Sequence, residues 1–290
     1  MVQAHHAGVW TGAPQGGAGD NNLLNSEAIH QMLDASITEL TGLNDAAEAW
    51  AALFAPDERI AIKVNAIQGS VFWTHVPLVM AVTECLQEAG VPAEQIIIFD
   101  REPFELENAG YTINQDGPGV RCYGTESYTG GWSIMDTNVR LSDILLSCHA
   151  LINMPILKRH PEAGITFAMK NHYGTFDRPR SFHGPGIGPG ISELNALAPI
   201  RDRTRLVIGD ALTICPVAWV QGVIGDSILV SFDPVAHDTV GLETLCEHID
   251  SEGGNAAAAT DISNTWLIPA AELGVGANNP DDMDLVEINL

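Results

Sequence analysis

The sequence has few basic residues. Lysine and arginine together number 13, against 37 aspartates and glutamates, and the formal net charge is −24. Because the acidic content is ordinary, the scarcity of cations causes this imbalance. No basic tract is present, and a surface of this charge repels phosphate backbones. We therefore expect neither nucleic acid nor an anionic membrane as a partner.

Long apolar runs are also missing, as are the features of a signal peptide. No segment reaches the roughly 20 apolar residues that a membrane span requires, so we expect no membrane insertion. Residues 1–12 lack the charged and apolar regions of a signal peptide. Two locations stay open at this point: the cytoplasm or, if Met1 replaces a removed export signal, the periplasm or the cell exterior.

The cysteines lack the spacing of a cofactor site. Five are present, widely separated and without a C-x-x-C pair. This spacing argues against a cysteine-ligated zinc or an iron–sulfur cluster within the chain, and the odd number argues against a complete disulfide framework. Cys85, Cys148 and Cys246 lie in or beside apolar segments, so we expect them to be small buried core residues.

Known nucleotide-binding and hydrolase motifs are absent. The chain has no G-x-x-x-x-G-K-[ST], no G-x-S-x-G and no H-E-x-x-H. The run GPGIGPG does not follow a strand and open a helix as a dinucleotide loop would. Its glycines and prolines instead predict a long surface loop over residues 178–194, with 178–190 as a candidate lid.

The patterns that are present predict strands alternating with helices. With 46% hydrophobic residues, the chain can bury a core as one α/β domain over residues 1–290. We predict a mainly parallel, mixed sheet with helices on both faces, a Rossmann-like three-layer architecture. Residues 101–140 have a weak pattern and are assigned as an excursion. The predicted helices are 25–42, 45–54, 76–90, 164–174 and 233–249, and the predicted strands are 59–65, 95–100, 149–156, 204–212, 227–233 and an edge strand in 282–290.

The chain has only three lysines, and each has asparagine or histidine nearby. Ligands of open α/β sheets bind at the carboxyl ends of the strands, where several predicted strands have polar residues. The three lysines either bind an anion there or pair with aspartates in a structural ion network. Asp233, before Pro234, is more readily a helix cap than a ligand group. The polar residues at these strand ends are Lys63, Asn65, Asp100, Lys158, His160, Asp210 and Asp233, and the helix predicted at 164–174 adds Lys170, Asn171 and His172.

Four histidines, His160, His172, His183 and His237, lie close to these segments in sequence. Two of them with an aspartate would suit a divalent metal, and the candidate ligands are His160, His172 and Asp233. The other histidines, His5, His6, His30, His75 and His248, look peripheral.

Three segments, IAIKVN, ALINMPILKRHPEAGITFAMKNHYGTF and DPVAHDTVG, resemble a prokaryotic family catalogued as domain of unknown function 362 (DUF362). The resemblance covers most of residues 55–245. It implies an exported protein with a redox partner, because relatives often carry twin-arginine signals and some carry a ferredoxin-type module, which these 290 residues lack. Relatives commonly have aspartate where His149 stands. The family motif falls on Lys63, Asn65, Asn153, Lys158, His160, Gly164, Lys170, Asn171, Gly174, Asp233 and Asp238.

These observations predict a polar cleft that binds or transforms a small anionic molecule, with or without a metal. Lys158, His160, Lys170 and His172 are the candidate catalytic residues, with a histidine exchanging protons. A lysine buried beside another would have a lowered pKa and could act as a base or Schiff-base nucleophile. The alternative is a non-catalytic extracellular protein, an oligomer or filament subunit, in which the motif is a structural polar core. The candidate ligand-binding residues are Lys63, Asn65, Asn153, Asn171, Asp210 and Asp233.

Overall fold

A computed structural model describes residues 1–14, 18–67, 72–217 and 221–290. The strands are β1 Val2–His5, β2 Ile60–Val64, β3 Ile96–Asp100, β4 Arg121–Gly124, β5 Tyr128–Ile134, β6 Thr137–Ser142, β7 Ala150–Met154, β8 Ile156–His160, β9 Gly164–Thr166, β10 Thr204–Val217, β11 Gln221–Ser231 and β12 Val286–Asn289. The helices are α1 Ser26–Thr41, α2 Ala46–Leu53, α3 Val76–Glu88, α4 Pro103–Asn108, α5 Asp143–Ser147, α6 Ala168–Asn171, α7 Ile187–Ala196, α8 Ala198–Arg201, α9 Pro234–Ser251 and α10 Ala256–Glu272.

Ten of the described strands form one mixed sheet. Its main path runs β12-β1-β11-β10-β7-β2-β3-β4, with β8 beside β10 and β9 beside β8. Neighbouring strands are parallel along the part of the path from β10 through β7, β2 and β3 to β4. Strand β11 is antiparallel to both of its neighbours, β10 and β1. The predicted fold class, a mainly parallel mixed α/β sheet, is confirmed.

Helices cover both faces of the sheet. Residues of β2 alternate between two hydrophobic cores, with Ile60 and Ile62 in one and Ala61 in the other, as the pleat of a strand requires. Helices α1, α2 and α3 complete the first core, and α7, α9 and α10 complete the second. The alternation places Lys63 on the same face as Ala61, which is the face where the candidate site lies.

The caps that the sequence predicts for two helices are present. The Asn25 side chain accepts hydrogen bonds from the backbone N–H groups of residues 27 and 28 at the start of α1, which ends at Gly42 with φ 71°. Asp233 caps α9 in the same way, and Pro234 follows at the first helical position. The predicted edge strand near the C-terminus is β12, and the predicted excursion contains the separate β5–β6 hairpin.

The prediction of a single helix over residues 164–174 is wrong. Gly164 begins strand β9, where its φ is +77° and where a Cβ would collide with Ser263 and Ala259 of α10. The helix α6 spans only four residues, and a 3-10 turn, His172–Gly174, follows it. Contacts with distant strands and helices decide this structure, because so short an apolar run has no distinct period.

The prediction of one strand over residues 149–156 also needs correction. The chain breaks between β7 and β8 at Pro155, which has no N–H group to donate within a strand. The Pro155 carbonyl instead accepts a hydrogen bond from the Asp210 N–H at 2.8 Å. Strand β10 can therefore pair first with β7 and then with β8.

The predicted surface loop and lid at residues 178–194 are largely packed structure. Two 3-10 turns, Pro179–Phe182 and Gly184–Gly186, lead into α7, which the sequence analysis missed. Glycines that looked like loop residues let α7 approach its neighbours, because a Cβ on Gly188 would lie 2.7 Å from the Thr265 hydroxyl. The sequence analysis also missed α10 and β1. None of the helices in the described ranges combines the length and the apolar character needed to cross a membrane.

Candidate functional site

The three lysines are all buried, and two of them lie in strands of the sheet. Lys63 lies in β2, Lys158 in β8 and Lys170 in α6. Lys63 and Lys158 each expose 1% of their surface, whereas Lys170 exposes 7%. Lysine is rarely buried without a partner, so the partners of each ammonium group define the chemistry of the site.

Lys63 is fully satisfied by an ion pair. Its Nζ lies 2.7 Å from Asp100 Oδ1, and it also donates to the Val64 carbonyl at 2.7 Å and to Asn171 Oδ1 at 3.3 Å. The other oxygen of Asp100 accepts from the Ala66 N–H at 2.7 Å. This geometry suits a structural pair that joins the ends of β2 and β3 to the segment containing α6.

Gly174 is a glycine because the ion pair lies against it. A Cβ at this position would be 2.5 Å from Asp100 Oδ1 and 2.7 Å from Lys63 Nζ. Such distances are below any real Cβ contact, so a side chain would displace the charged groups. The sequence suggested only that Gly174 ends a helix.

Asparagines connect Lys63 to Lys158. Asn171 Oδ1 accepts from Lys63 and, at 3.2 Å, from Asn65 Nδ2. Asn65 Oδ1 in turn accepts from Lys158 Nζ at 2.7 Å. Asn171 Nδ2 donates to Asn153 Oδ1 at 2.7 Å, which extends the network to β7. The structure thus brings five of the predicted residues into one continuous, buried hydrogen-bond network.

His172 joins this network as a neutral ring. Asn153 Nδ2 lies 3.3 Å from His172 Nε2, and because the amide donates, the ring hydrogen is on Nδ1. Nδ1 is buried and has no hydrogen-bond partner among the described residues. Burial, assisted by the charge on Lys63, lowers the pKa of His172 to about 3.

Asp238 positions the helix that carries Lys170 and Asn171. Its fully buried carboxylate accepts from the N–H groups of Ala168 at 2.7 Å and Met169 at 2.9 Å. These are the first two residues of α6, whose backbone donors would otherwise be unpaired. The family resemblance marked Asp238 in the motif, and the structure supplies this physical reason.

Lys158 and Lys170 carry charges that burial disfavours. Burial lowers the pKa of Lys158 to about 8, and the described partners of its Nζ include Asn65 and the Phe72 carbonyl, both neutral. Burial and repulsion from Lys158 lower the pKa of Lys170 to about 7. Within the described ranges, Lys170 Nζ has no hydrogen bond or ion pair, and it lies 4.1 Å from the centre of the Tyr173 ring.

Two histidines lie beside Lys170. His160 Nδ1 accepts from the N–H groups of Glu162 and Ala163, both at 3.1 Å, so its hydrogen is on Nε2. Burial and the neighbouring charge of Lys170 lower the pKa of His160 to about 3. The ring of His183 is exposed and lies 5.9 Å from the ring of His160. Burial and the charge of Lys170 also lower the pKa of His183, so both imidazoles are uncharged at neutral pH.

Neither of the two remaining predicted aspartates has a lysine among its partners in the described ranges. Asp210 is inside β10 and binds His75, whose Nδ1 and backbone N–H both lie 2.8 Å from Asp210 Oδ2. Asp233 caps α9 and also accepts from the Ala277 N–H at 2.7 Å. The sequence analysis treated His75 as peripheral, yet it is buried; its position directly before the predicted α3 was the available signal.

The candidate metal ligands are not gathered into one site. In residues 1–14, 18–67, 72–217 and 221–290, no group of three His, Cys, Asp or Glu side chains is placed to hold a metal ion. Asp233 is committed to three backbone N–H groups, and His172 is tied to Asn153. We therefore identify no metal ligands among His160, His172 and Asp233.

Two surface cavities lie away from the lysines. One, of about 490 Å³, is lined by residues that include His5, Asp226 and Glu243, and the other, of about 590 Å³, by Val76, Tyr111 and mostly apolar neighbours. None of the three lysines lines either cavity. The unusual electrostatics and these two cavities are thus in different places, and the buried charges are the more specific indication of chemistry.

Comparison with known families identifies the chain. The family model described as Domain of unknown function (DUF362) matches residues 60–243, which is more than half of the sequence. The chain belongs to the DUF362 family. The match includes every DUF362 motif residue named above, from Lys63 to Asp238. His149, where relatives commonly have aspartate, accepts a hydrogen bond at Nδ1 from the Arg59 N–H at 2.7 Å.

Other comparisons are more distant. A crystal structure of a Thermotoga maritima protein is similar with a TM-score of 0.49 and 12% identity, over 79% of this chain and 59% of that one. The lactate racemase apoprotein of Thermoanaerobacterium thermosaccharolyticum is similar with a TM-score of 0.42 and 8% identity, over 62% of this chain and 48% of that one. The DUF362 chain thus spans less than two thirds of either protein. No match to a curated protein was found.

Proposed function

We propose that this DUF362 protein binds a small organic anion beside Lys170. The observation that carries the proposal is the Lys170 ammonium group, which is buried without a carboxylate or hydrogen-bond acceptor among the described residues. The residues outside the described ranges include no aspartate or glutamate. Glu162 acts on Lys170 only as a weaker electrostatic influence and is itself exposed.

A bound carboxylate would supply the missing countercharge. An isolated buried charge is costly, and a protein that retains one gains when a ligand of opposite charge binds there. Lys158 repels Lys170, so an anion near both groups would be attracted by each. This proposal needs no metal ion.

Anion binding should depend on the protonation of Lys170. Titration calorimetry with acetate and with inorganic phosphate at about pH 6 and pH 9 measures this. Because the pKa of Lys170 is about 7, we expect about 100-fold weaker binding at pH 9 than for the fully protonated site. The variant Lys170→Met should abolish binding at both pH values.

The matched control is Arg201→Gln, which removes one positive charge from an exposed ion pair with Asp202. This variant should bind as the wild type does. Equal binding by wild type and Lys170→Met, or the same loss in Arg201→Gln, would contradict the proposal, because the anion would then be responding to overall charge.

The alternative function is assembly, with the motif as a structural polar core. Lys63 fits this alternative because it is buried and paired with Asp100. Light scattering after size-exclusion chromatography tests it. If the wild-type protein binds no anion and still forms a stable oligomer, the result would favour assembly. Export and a redox partner stay predictions of the family resemblance.

A further inference from the structure

The surroundings of Lys170 suit an amine that reacts. Lys170 exposes more of its surface than the other two lysines, and its Nζ is held over an aromatic ring rather than in an ion pair. Lys63, by contrast, has three oxygen partners that occupy its nitrogen. A nitrogen can attack a carbonyl group only when its lone pair is available. Lys170 is therefore the lysine best placed to react.

His183 is arranged to accept a proton near Lys170. Its Nδ1 lies 3.0 Å from the Pro179 carbonyl oxygen, which can only accept, so the ring hydrogen is on Nδ1. The lone pair is therefore on Nε2. The ring lies 5.5 Å from Tyr173, the residue whose ring contacts Lys170, and it is exposed to solvent. His183 and Lys170 thus both contact the ring of Tyr173.

His160 keeps a neutral ring near Lys170. Two backbone N–H groups occupy its Nδ1, so its hydrogen is on Nε2. The ring therefore adds no third positive charge beside Lys158 and Lys170. The cluster combines a nucleophile, Lys170, with a proton acceptor, His183.

We propose that Lys170 forms an imine with the carbonyl carbon of a small oxo acid, whose carboxylate is attracted by Lys158. This inference rests on the proposed function, because the same two charges recruit the anion. The class of ligand follows from the site: the charge of Lys158 attracts a carboxylate, and the Lys170 nitrogen reacts with a carbonyl group close to that carboxylate.

The steps balance without a further reactant. The Lys170 ammonium group gives one proton to His183 Nε2, and its lone pair attacks the carbonyl carbon while the C=O π electrons move to oxygen. With a proton from the new ammonium centre, that oxygen becomes the hydroxyl group of a carbinolamine. The hydroxyl then leaves as water with the proton from His183, and the nitrogen lone pair forms the C=N bond. The net change is ammonium plus carbonyl to iminium plus water.

Borohydride trapping with pyruvate tests this inference. Reduction fixes an imine to the protein as a stable amine, and peptide mass mapping then locates it. The scarcity of lysine makes the assignment sharp, since only three lysines and the N-terminal amine can react. We expect the adduct on the peptide containing Lys170, with Lys63 and the N-terminus unmodified. An aldehyde without a carboxylate, acetaldehyde, should react at least about tenfold less, because it lacks the charge that Lys158 attracts.

Lys170→Arg separates the inference from the proposed function. Arginine keeps the positive charge but is not a nucleophile at neutral pH, so this variant should give no adduct, and its acetate binding should no longer weaken between about pH 6 and pH 9. His183→Gln should keep the site of the adduct and slow its formation on the order of 100-fold.

Four results are decisive. Trapping at Lys170 supports the imine, and because mapping uses the wild-type protein, the result holds even if Lys170→Arg does not fold. Acetate and pyruvate binding without an adduct overturns the imine and leaves the proposed function standing. An adduct spread over Lys63, Lys158 and the N-terminus overturns the imine as a property of this site, and failure to bind either anion overturns both proposals.

Discussion

Replacing Lys170 by methionine should make the folded protein more stable, and the gain should shrink as the pH rises. Methionine fills a similar volume without a charge. In wild type the pKa of Lys170 falls from 10.5 when unfolded to about 7 when folded. Below about pH 7 the amine is charged in both states, so the full cost of burying the charge destabilises the fold. Between pH 7 and 10.5 the unfolded chain binds a proton that the folded protein does not, so wild-type stability rises with pH.

The magnitude follows from the pKa difference. One pKa unit corresponds to about 1.4 kcal/mol, so the advantage of Lys170→Met should fall by on the order of 3 kcal/mol between about pH 6 and pH 9. Burial raises the pKa of Cys85, Cys122 and Cys148, which also affects alkaline stability. Those contributions are the same in both proteins and cancel in the difference.

Urea unfolding followed by circular dichroism at a series of pH values measures this difference. Arg201→Gln, with the same change in net charge at an exposed site, should show no pH-dependent gain over wild type. A constant difference between wild type and Lys170→Met across this range would refute the reasoning, because it would mean that Lys170 stays protonated in the folded state. Adding saturating acetate at pH 6 should reduce the advantage of the variant, since the anion stabilises the charged amine.

Two further predictions concern the buried ion pair. Lys63→Met should lower the free energy of unfolding by about 3–5 kcal/mol because it leaves Asp100 charged and buried, and the double variant Lys63→Met/Asp100→Asn should recover part of that loss. Urea unfolding measures both, and equal losses in the two proteins would argue against the pair. Gly174→Ala should lower the free energy of unfolding by about 1–3 kcal/mol because its Cβ would lie 2.5 Å from Asp100 Oδ1. The control Gly186→Ala, whose Cβ would have its nearest contact at 3.7 Å, should stay within about 0.5 kcal/mol of wild type. Similar melting temperatures for the two variants would contradict this account of Gly174.

Local patterns predicted the regular elements well. The α1 helix has both its cap and its terminal glycine in the sequence, and β2 and β3 are apolar runs of strand length. Asp233 and Pro234 mark the start of the α9 helix in the sequence. Each of these signals acts within a few residues, so it can be recognised without the rest of the fold.

Contacts between distant segments decided the rest. The α7 helix follows a run of Gly and Pro that predicts a loop, yet those glycines are needed for close packing against α10 and Tyr173. The segment with α6 looked like a longer helix, but the pairing of β9 with β8 and the carboxylate of Asp238 fix its structure. Neither interaction is visible in a sequence window.

The sequence by itself determined that this is an α/β protein of the DUF362 family with very few cations, and it marked the three lysines as exceptional. Only the tertiary structure decided that they differ from one another. Lys63 is neutralised by Asp100, whereas Lys170 lies over the Tyr173 ring and has no carboxylate partner among the described residues. The physical reason is that the pKa and reactivity of an amine depend on its burial and on charges within a few ångströms, which folding brings together from remote parts of the chain.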